Sequence, residues 1–219
     1  MGKSKDLATG ETRFVNTSGD SMTGELLVRR ARSNTAGDAA LTIHPSDTTV
    51  SYGLRIDQNT NSLNFDQVNN NTTKMSIDSS GRVTTPYQPA FNAKRTSSQS
   101  ISGTTTLVFN EVRSNQSNSY NSSNGIFTAP VAGQYIFTHK ALYYPFDTSE
   151  YFDLYSYVNS SVRNRYEQTG NGGGHTQVDY TEVVYLNAND TFKLVTSDRS
   201  TGSFSMYAHE NHFSGRLLG

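Results

Sequence analysis

The chain has 219 residues, a formal net charge of −1 and a hydrophobic content of 33 %. The near-neutral charge excludes a general attraction to nucleic acid or to anionic membranes, and the absence of cysteine excludes a disulfide framework and thiol catalysis. No apolar run approaches the roughly 18 residues of a membrane-spanning helix. We also expect no secretory signal, because the first 25 residues lack an apolar segment.

Residues 1–25 are small, polar and charged, without periodicity, which predicts an extended arm that orders against a partner. The string SGDSMTGEL at residues 18–26 resembles an element that recurs in bacteriophage tail-fibre proteins. That resemblance implies an arm that anchors the chain to a virion through Phe14, Met22 and Leu26. The residues alone leave open a plainer interpretation, a glycine-bounded turn that leads into a strand.

Residues 26–86 contain short apolar segments separated by clusters of turn-forming residues. Most of the apolar residues are two positions apart, which is the period of a β-strand. Each of these short segments supplies too few apolar side chains for a stable isolated sheet, so we interpret residues 26–86 as a shaft of three intertwined chains. A small meander packed on the following domain is the alternative. The apolar positions are Leu41, Ile43, Val50, Tyr52, Leu54, Ile56, Leu63, Phe65, Met75, Ile77 and Val83.

The joint between this segment and the rest of the chain contains Pro86 and Pro89. Two prolines so close together predict a short, stiff connector. The string GRVTTPYQPAF at residues 81–91 also resembles the join that precedes the head of phage fibres.

The stretch GIFTAPVAGQYIF at residues 125–137 contains no charged residue and two apolar runs. Pro130 cannot donate to a sheet and Gly133 permits a bend, so the stretch predicts a buried antiparallel strand that is entered through a corner.

Within this stretch, FTAPVAGQYIF resembles the signature FTxPxxGxYxF of the globular C1q head, a trimeric jelly roll related to tumour necrosis factor. PAFNA at residues 89–93, VYL at 184–186 and HFSGRLLG at 212–219 extend the resemblance. It implies an all-β, homotrimeric jelly-roll head at residues 87–219. Arg216 stands where the family usually has an aromatic residue, and Asn189 where it usually has glycine.

Apolar alternation and turn residues predict ten strands in the head. Large side chains on both faces of residues 151–158 predict that this strand is covered twice, by the opposite sheet and by a neighbouring subunit. The predicted strands lie near residues 89–95, 106–112, 126–129, 133–143, 152–158, 162–168, 176–186, 191–197, 203–208 and 211–218.

No constellation of residues predicts catalysis, a cofactor or a metal site. His209 and His212 are three residues apart, whereas the zinc-protease motif places two histidines at i and i+4 on a helix. The glycine-rich run at residues 170–174 lacks the Gly-Lys-Ser/Thr ending that binds phosphate. Glu167, Asp179 and Glu182 are scattered carboxylates, so we predict that the chain is not an enzyme.

Loops that carry Asn, Ser, Gly, His and Tyr are suited to binding sugars or other polar surface polymers, because amides offer donors and acceptors and aromatic rings stack on sugar rings. The predicted receptor-binding residues are Tyr151, Asn171, His175, Asn187, Asn189, His209 and Asn211.

The sequence therefore predicts a homotrimeric bacteriophage tail fibre, located in the virion. Its arm would contact other tail or capsid proteins, and its head would attach to a host surface glycan or protein without catalysis. One alternative is a head fibre or a capsid-decorating trimer. A second is a tail enzyme that degrades polysaccharide.

Overall fold

The structure is a computed structural model that describes residues 39–43, 50–144, 151–169, 174–199 and 204–218. Within these ranges the chain forms β-strands and one short 3-10 turn, Val68–Asn70, which confirms the all-β prediction. The chain divides into two compact units between Thr84 and Thr85. The predicted arm of residues 1–25, with Phe14 and Met22, and the adjoining Leu26 lie outside the described residues.

The N-terminal unit is a five-stranded antiparallel meander in which each strand pairs with the next. Its turns are built as the sequence suggests: the Asp57 carboxylate accepts hydrogen bonds from the backbone N–H groups of Asn59 and Thr60. These strands pair within one chain. This pairing is that of a meander, which the sequence analysis gave as the alternative to an intertwined shaft. The strands are β1 (Ala39–Ile43), β2 (Tyr52–Asp57), β3 (Ser62–Gln67), β4 (Thr72–Ile77) and β5 (Val83–Thr84).

One face of the meander is polar, and its side chains are paired with one another. Arg55 lies 2.6 Å from a carboxylate oxygen of Asp66 and 2.9 Å from one of Asp57. The hydroxyl of Ser76 donates a hydrogen bond of 2.6 Å to the side-chain oxygen of Asn64. Asn64 and Asp66 are both buried, so this face satisfies its polar groups within the chain.

The opposite face of the meander is apolar and open to solvent. Leu54 lies opposite Phe65 in the register of β2 and β3, and both side chains are exposed. Tyr52 is 53 % exposed, Ile56 47 % and Val83 55 %. Among the described side chains of this sheet, five large apolar ones are therefore exposed in the single chain, while Leu63, Met75 and Ile77 are half-buried.

The C-terminal unit is a sandwich of two six-stranded sheets. The first sheet has the order β15-β12-β17-β6-β9, with β7 paired to β17, and the second has the order β10-β11-β16-β13-β14, with β8 paired to β16. The strands are β6 (Ala90–Lys94), β7 (Gln99–Ile101), β8 (Thr104–Thr106), β9 (Glu111–Gln116), β10 (Tyr120–Asn121), β11 (Ile126–Thr128), β12 (Gly133–Tyr144), β13 (Tyr151–Val158), β14 (Ser161–Thr169), β15 (Thr176–Leu186), β16 (Thr191–Asp198) and β17 (Phe204–Leu217).

The predicted corner at residues 125–137 is where the chain passes from one sheet to the other. Phe127 lies in β11 of the second sheet, and Gly133 begins β12 of the first. Along β12 the side chains alternate between buried and more exposed, as the period-two pattern predicts.

Aromatic side chains from both sheets fill the space between them. Phe91 stacks on Tyr120 with ring centroids 4.5 Å apart, and Phe127 meets Phe137 edge to face at 5.1 Å. The large aromatic side chains that are fully buried are Phe109, Phe127, Tyr135, Phe137, Tyr143, Phe152, Phe192, Phe204 and Phe213.

The short strands β7 and β10 were not predicted, and the strand predictions differ from the structure in two further regions. The strand predicted at residues 106–112 is replaced by β8 and β9, because residues 107–110 are held by other contacts; Val108, for example, donates its backbone N–H to the side chain of Gln99. The two strands predicted at 203–208 and 211–218 are one strand, β17, which passes through an irregularity at His209 with a φ of 67°.

The double cover predicted for residues 151–158 comes in part from the same chain. Phe152 and Leu154 point into the core. Asp153 faces the other way and is covered by Arg165, whose guanidinium lies 2.9 Å from its carboxylate, and by Tyr155, whose hydroxyl donates to it. A neighbouring subunit is not needed to bury this position.

Candidate binding surface

The positions of the predicted binding residues can be described relative to the two ends of the sandwich, which we call the base and the tip. At the base, Leu217 donates a backbone hydrogen bond to the carbonyl of Pro89, so the first and last strands lie together there. At the tip, Tyr143 pairs with Thr176 and Tyr151 begins β13. The predicted residues are divided between the base, the tip and the irregularity in β17, so they do not form one site.

Asn187 and Asn189 lie in a turn at the base. The Asp190 carboxylate closes this turn by accepting hydrogen bonds from the Asn187 backbone at 2.8 Å and from the Asn159 side chain at 2.9 Å. These bonds, led by the one from Asn159, lower the pKa of Asp190. Asn189 has a φ of 72°, which asparagine tolerates and glycine would favour. The turn explains why Asn can replace the glycine that the family usually has.

Tyr151 lies at the tip beneath a charged side chain. The Arg199 guanidinium is 5.1 Å from the centroid of the Tyr151 ring, within the range of a cation–π contact. Arg199 also contacts Glu167 at 3.2 Å. The ring of Tyr151 is therefore held in place by Arg199, which is in turn held by its ion pair with Glu167.

His175 lies in a cluster of exposed aromatic side chains at the tip, which we call the tip cluster: Tyr144, His175 and Tyr207. The imidazole stacks on the ring of Tyr144 at a centroid distance of 4.4 Å and meets Tyr207 edge to face at 6.1 Å. Both tyrosines are more than 40 % exposed. Asn171, predicted to bind alongside His175, lies outside the described residues.

His209 and Asn211 occupy the irregularity in β17, and only one of them is exposed. The Asn211 side chain is 6 % exposed. Its oxygen accepts from the Arg95 backbone at 2.7 Å and its amide donates to the Tyr207 carbonyl at 2.6 Å. Asn211 therefore holds the strand irregularity and leaves its neighbour His209 facing solvent.

A groove of about 450 Å³ opens beside His209 on the outer face of the first sheet. Its charged lining contains three Lys or Arg residues and two histidines but one acidic residue; we call it the basic groove. The lining residues are Asn92, Lys94, Arg113, Lys140, His209, Glu210, Asn211 and His212.

Strand register brings these cations together. Lys140 on β12 lies opposite His212 on β17, and Lys94 extends from β6 on the far side of β17. Lys94 and Arg113 share one carboxylate, that of Glu111, at 3.3 and 3.8 Å. Lys94, Arg113, Lys140 and His212 were not among the predicted binding residues, because residues so distant in sequence become neighbours only through sheet pairing.

Lys140 differs from Lys94 and Arg113 in that it forms no ion pair with a described residue, although Asp179 lies opposite it in the register of β12 and β15. Across the ranges that the structure describes, no carboxylate lies within ion-pair distance of its ammonium. Burial, and after it the Lys140 charge, lowers the pKa of His212, while Asp179 acts in the opposite direction. The lining of the groove therefore carries more cationic than acidic side chains, with the carboxylates of Glu111 and Asp179 beside it.

The carboxylates considered in the sequence analysis lie in three different surroundings. Glu167 contacts Arg165 and Arg199, Asp179 accepts from Gln177, and buried Glu182 accepts from Arg163 and Asn164. Within the described ranges, no group of three or more His, Cys, Asp or Glu side chains could hold a metal ion. The same residues contain no helix of the length and apolarity needed to cross a bilayer.

Comparison with known proteins gives one family match. The C1q domain matches residues 90–218, which is more than half of the chain. No curated protein matches.

Three solved structures illustrate the fold that the chain resembles. The globular domain of zebrafish complement 1qA has 18 % identity, covering 60 % of this chain and 98 % of that one, with a TM-score of 0.48. Murine APRIL has 11 % identity, covering 60 % and 99 %, with a TM-score of 0.46. Eiger TNF from S. frugiperda has 11 % identity, covering 60 % and 93 %, with a TM-score of 0.45.

The predicted jelly-roll fold of the head is thus confirmed by the family match and by the two-sheet sandwich. Through residues 90–218, the chain belongs to the C1q domain family.

Proposed function

We propose that the chain is a homotrimeric bacteriophage tail-fibre protein, held in the virion by its N-terminal arm, whose C1q head attaches to the host surface without catalysis. Domains of the C1q and tumour necrosis factor families typically form homotrimers and are generally non-enzymatic binding modules. The observation that carries the proposal for this chain is the uncovered apolar face of its N-terminal meander.

This apolar face favours self-association over a free monomer. Tyr52, Ile56 and Val83 are each about half exposed, and fully burying such side chains stabilises a protein by roughly 1.5–3 kcal/mol each. On the polar face of the same sheet, Arg55 is already paired with Asp57 and Asp66 within the chain. Three copies that bring their apolar faces together would bury the uncovered side chains without exposing the ionic network.

The viral assignment is supported by sequence. SGDSMTGEL at residues 18–26 and GRVTTPYQPAF at residues 81–91 both resemble segments of phage fibres, and they precede the C1q head in the order expected of a fibre. Three weak sites on each fibre, and several fibres on each particle, would raise the avidity for a host surface through effective concentration.

Assembly is tested by sedimentation equilibrium of the purified full-length protein. We expect a single species with three times the chain mass of 24.1 kDa. A compact monomer that resists heat denaturation would overturn the proposal, because the apolar face would then need no partner.

Attachment is tested by competition. Purified protein, added to a panel of bacterial strains, is expected to block adsorption of phage that carries it, and gold-labelled antibody is expected to mark the tail of the particle. If the antibody labels the capsid instead, the protein is a capsid-decorating trimer and not a tail fibre. Release of oligosaccharides from the bacterial surface would instead identify an enzyme.

A further inference from the structure

The basic groove and the tip cluster lie on the same face of the same strands. Lys140 and Tyr144 are both outward-facing residues of β12, with one outward position between them. At about 3.3 Å per residue, their backbones are roughly 13 Å apart. On β17, Tyr207 of the tip cluster lies two residues before His209 of the groove. One short, extended ligand could contact both.

The two parts offer different chemistry. The basic groove presents the Lys140 ammonium, which has no ion pair among the described residues, with His212 and His209 beside it, and these donors suit an oxyanion. The tip cluster presents the faces and edges of three mutually packed rings, which suit the apolar faces of pyranose rings. Asn92 lines the groove as well and adds an amide that can donate to or accept from hydroxyl groups.

The combination discriminates between ligand classes. A neutral sugar would leave the Lys140 ammonium without an anionic ligand group, and a simple inorganic anion would leave the aromatic rings unused. A nucleic acid has both phosphates and rings, but the chain has a net charge of −1, and the cations of this groove are grouped in one place instead of forming the extended stripe that tracks a polyanion.

We propose that the basic groove and the tip cluster form one binding site for an acidic oligosaccharide. Its carboxylate or phosphate group lies between Lys140 and His212, and its sugar rings stack on Tyr144 and His175. This inference rests on the proposed function, since it names the class of surface glycan that the head binds.

The test is a glycan array that carries uronate-containing and phosphorylated oligosaccharides beside their neutral counterparts, probed with the full-length protein and its variants. Lys140→Gln removes the one groove cation that has no ion pair among the described residues, and His175→Ala removes the central ring of the tip cluster. Lys193→Gln is the charge control, because Lys193 lies over Tyr157 in the second sheet, with its ammonium 5.4 Å from the ring centroid.

The wild-type protein is expected to bind acidic glycans more strongly than neutral counterparts. Lys140→Gln should weaken this binding about tenfold, as loss of a charged hydrogen bond does, while Lys193→Gln leaves it unchanged. His175→Ala should weaken binding to acidic and neutral glycans alike. Preference for the uronates or for the phosphorylated glycans identifies the anion.

The inference is overturned if no acidic glycan binds, if neutral counterparts bind equally well, or if Lys140→Gln binds as the wild type does. Its failure is separate from failure of the proposed function. A protein that blocks phage adsorption but ignores acidic glycans retains the fibre role and loses this site. A protein that binds acidic glycans but blocks no adsorption retains the site and loses the fibre role.

Discussion

Phe137 and Phe192 stack face to face, with ring centroids 3.9 Å apart and an interplanar angle of 1°. The two residues belong to opposite sheets, since Phe137 lies in β12 and Phe192 in β16. Both are completely buried. This pair therefore joins the two layers of the sandwich at the centre of its aromatic core.

Replacing one ring of this pair should destabilise the head strongly. We expect Phe192→Ala to lower the free energy of unfolding by roughly 3–5 kcal/mol, because it removes buried apolar surface and leaves a cavity. Val162→Ala is the control, since Val162 is half exposed on β14 and should cost about 0.5 kcal/mol or less. Thermal and urea unfolding measure both, and equal losses would show that the aromatic pair does not hold the sheets together.

Gly125 and Gly103 should respond differently to the same substitution. Both have positive φ, 75° and 58°, so alanine is strained at either position. At Gly125 a Cβ would also lie 2.1 Å from the backbone oxygen of Leu107, whereas at Gly103 it would meet nothing within 4 Å.

We therefore expect Gly103→Ala to cost about 1 kcal/mol and Gly125→Ala about 3 kcal/mol or more, because backbone cannot move aside as a flexible side chain can. The difference between the two midpoints of urea unfolding isolates the steric clash. Similar midpoints would mean that the turn before β11 shifts to make room.

Much of the head could be predicted because its local pattern and its tertiary environment agree. Tyr135, Phe137 and Tyr143 alternate with more exposed residues along β12, and the sequence already carries that period. Pro130 and Gly133 mark the corner between the sheets, because one cannot donate to a ladder and the other permits a bend. Such signals need no knowledge of partners distant in the chain.

The binding surface could be predicted only in part, because it depends on those distant partners. His175 was selected as a loop residue, but its stacking on Tyr144 follows from the pairing of β12 with β15. Lys140 and His212 become neighbours only through the β12–β17 register. Asparagine is a residue type common in exposed loops, yet at the irregularity in β17 the side chain of Asn211 is buried.

His139 should make the stability of the head depend on pH. Its ring is fully buried, with one nitrogen 3.3 Å from the Tyr143 hydroxyl. Burial lowers the pKa of His139 from 6.5 to about 3. Between these values the unfolded chain binds a proton that the folded chain does not, so the contribution is complete above pH 6.5 and is lost as the pH falls towards 3.

The expected loss from this single group across that window is on the order of 3–5 kcal/mol. Other groups titrate in the same range, so the measurement is a difference: urea unfolding of the wild type and of His139→Gln from pH 7.5 to pH 4. The variant should show the flatter pH profile. Parallel profiles would show that the imidazole takes up its proton without opening the core.

Ile56 provides the sharpest test of the apolar face of the meander. In the single chain its side chain is 47 % exposed, so Ile56→Asp should cost the isolated fold little. Within an assembly it would bury a charge, which is strongly unfavourable. We expect Ile56→Asp to weaken trimer association at least about tenfold, equivalent to roughly 1.4 kcal/mol.

Asn59→Asp adds the same charge in the exposed turn between β2 and β3, and it should leave association unchanged. Sedimentation velocity across a range of protein concentrations compares the two variants with the wild type, and far-UV circular dichroism checks that both remain folded. If Ile56→Asp sediments as the wild type does, Ile56 is not buried between copies, and the apolar face must be covered by something other than two further chains.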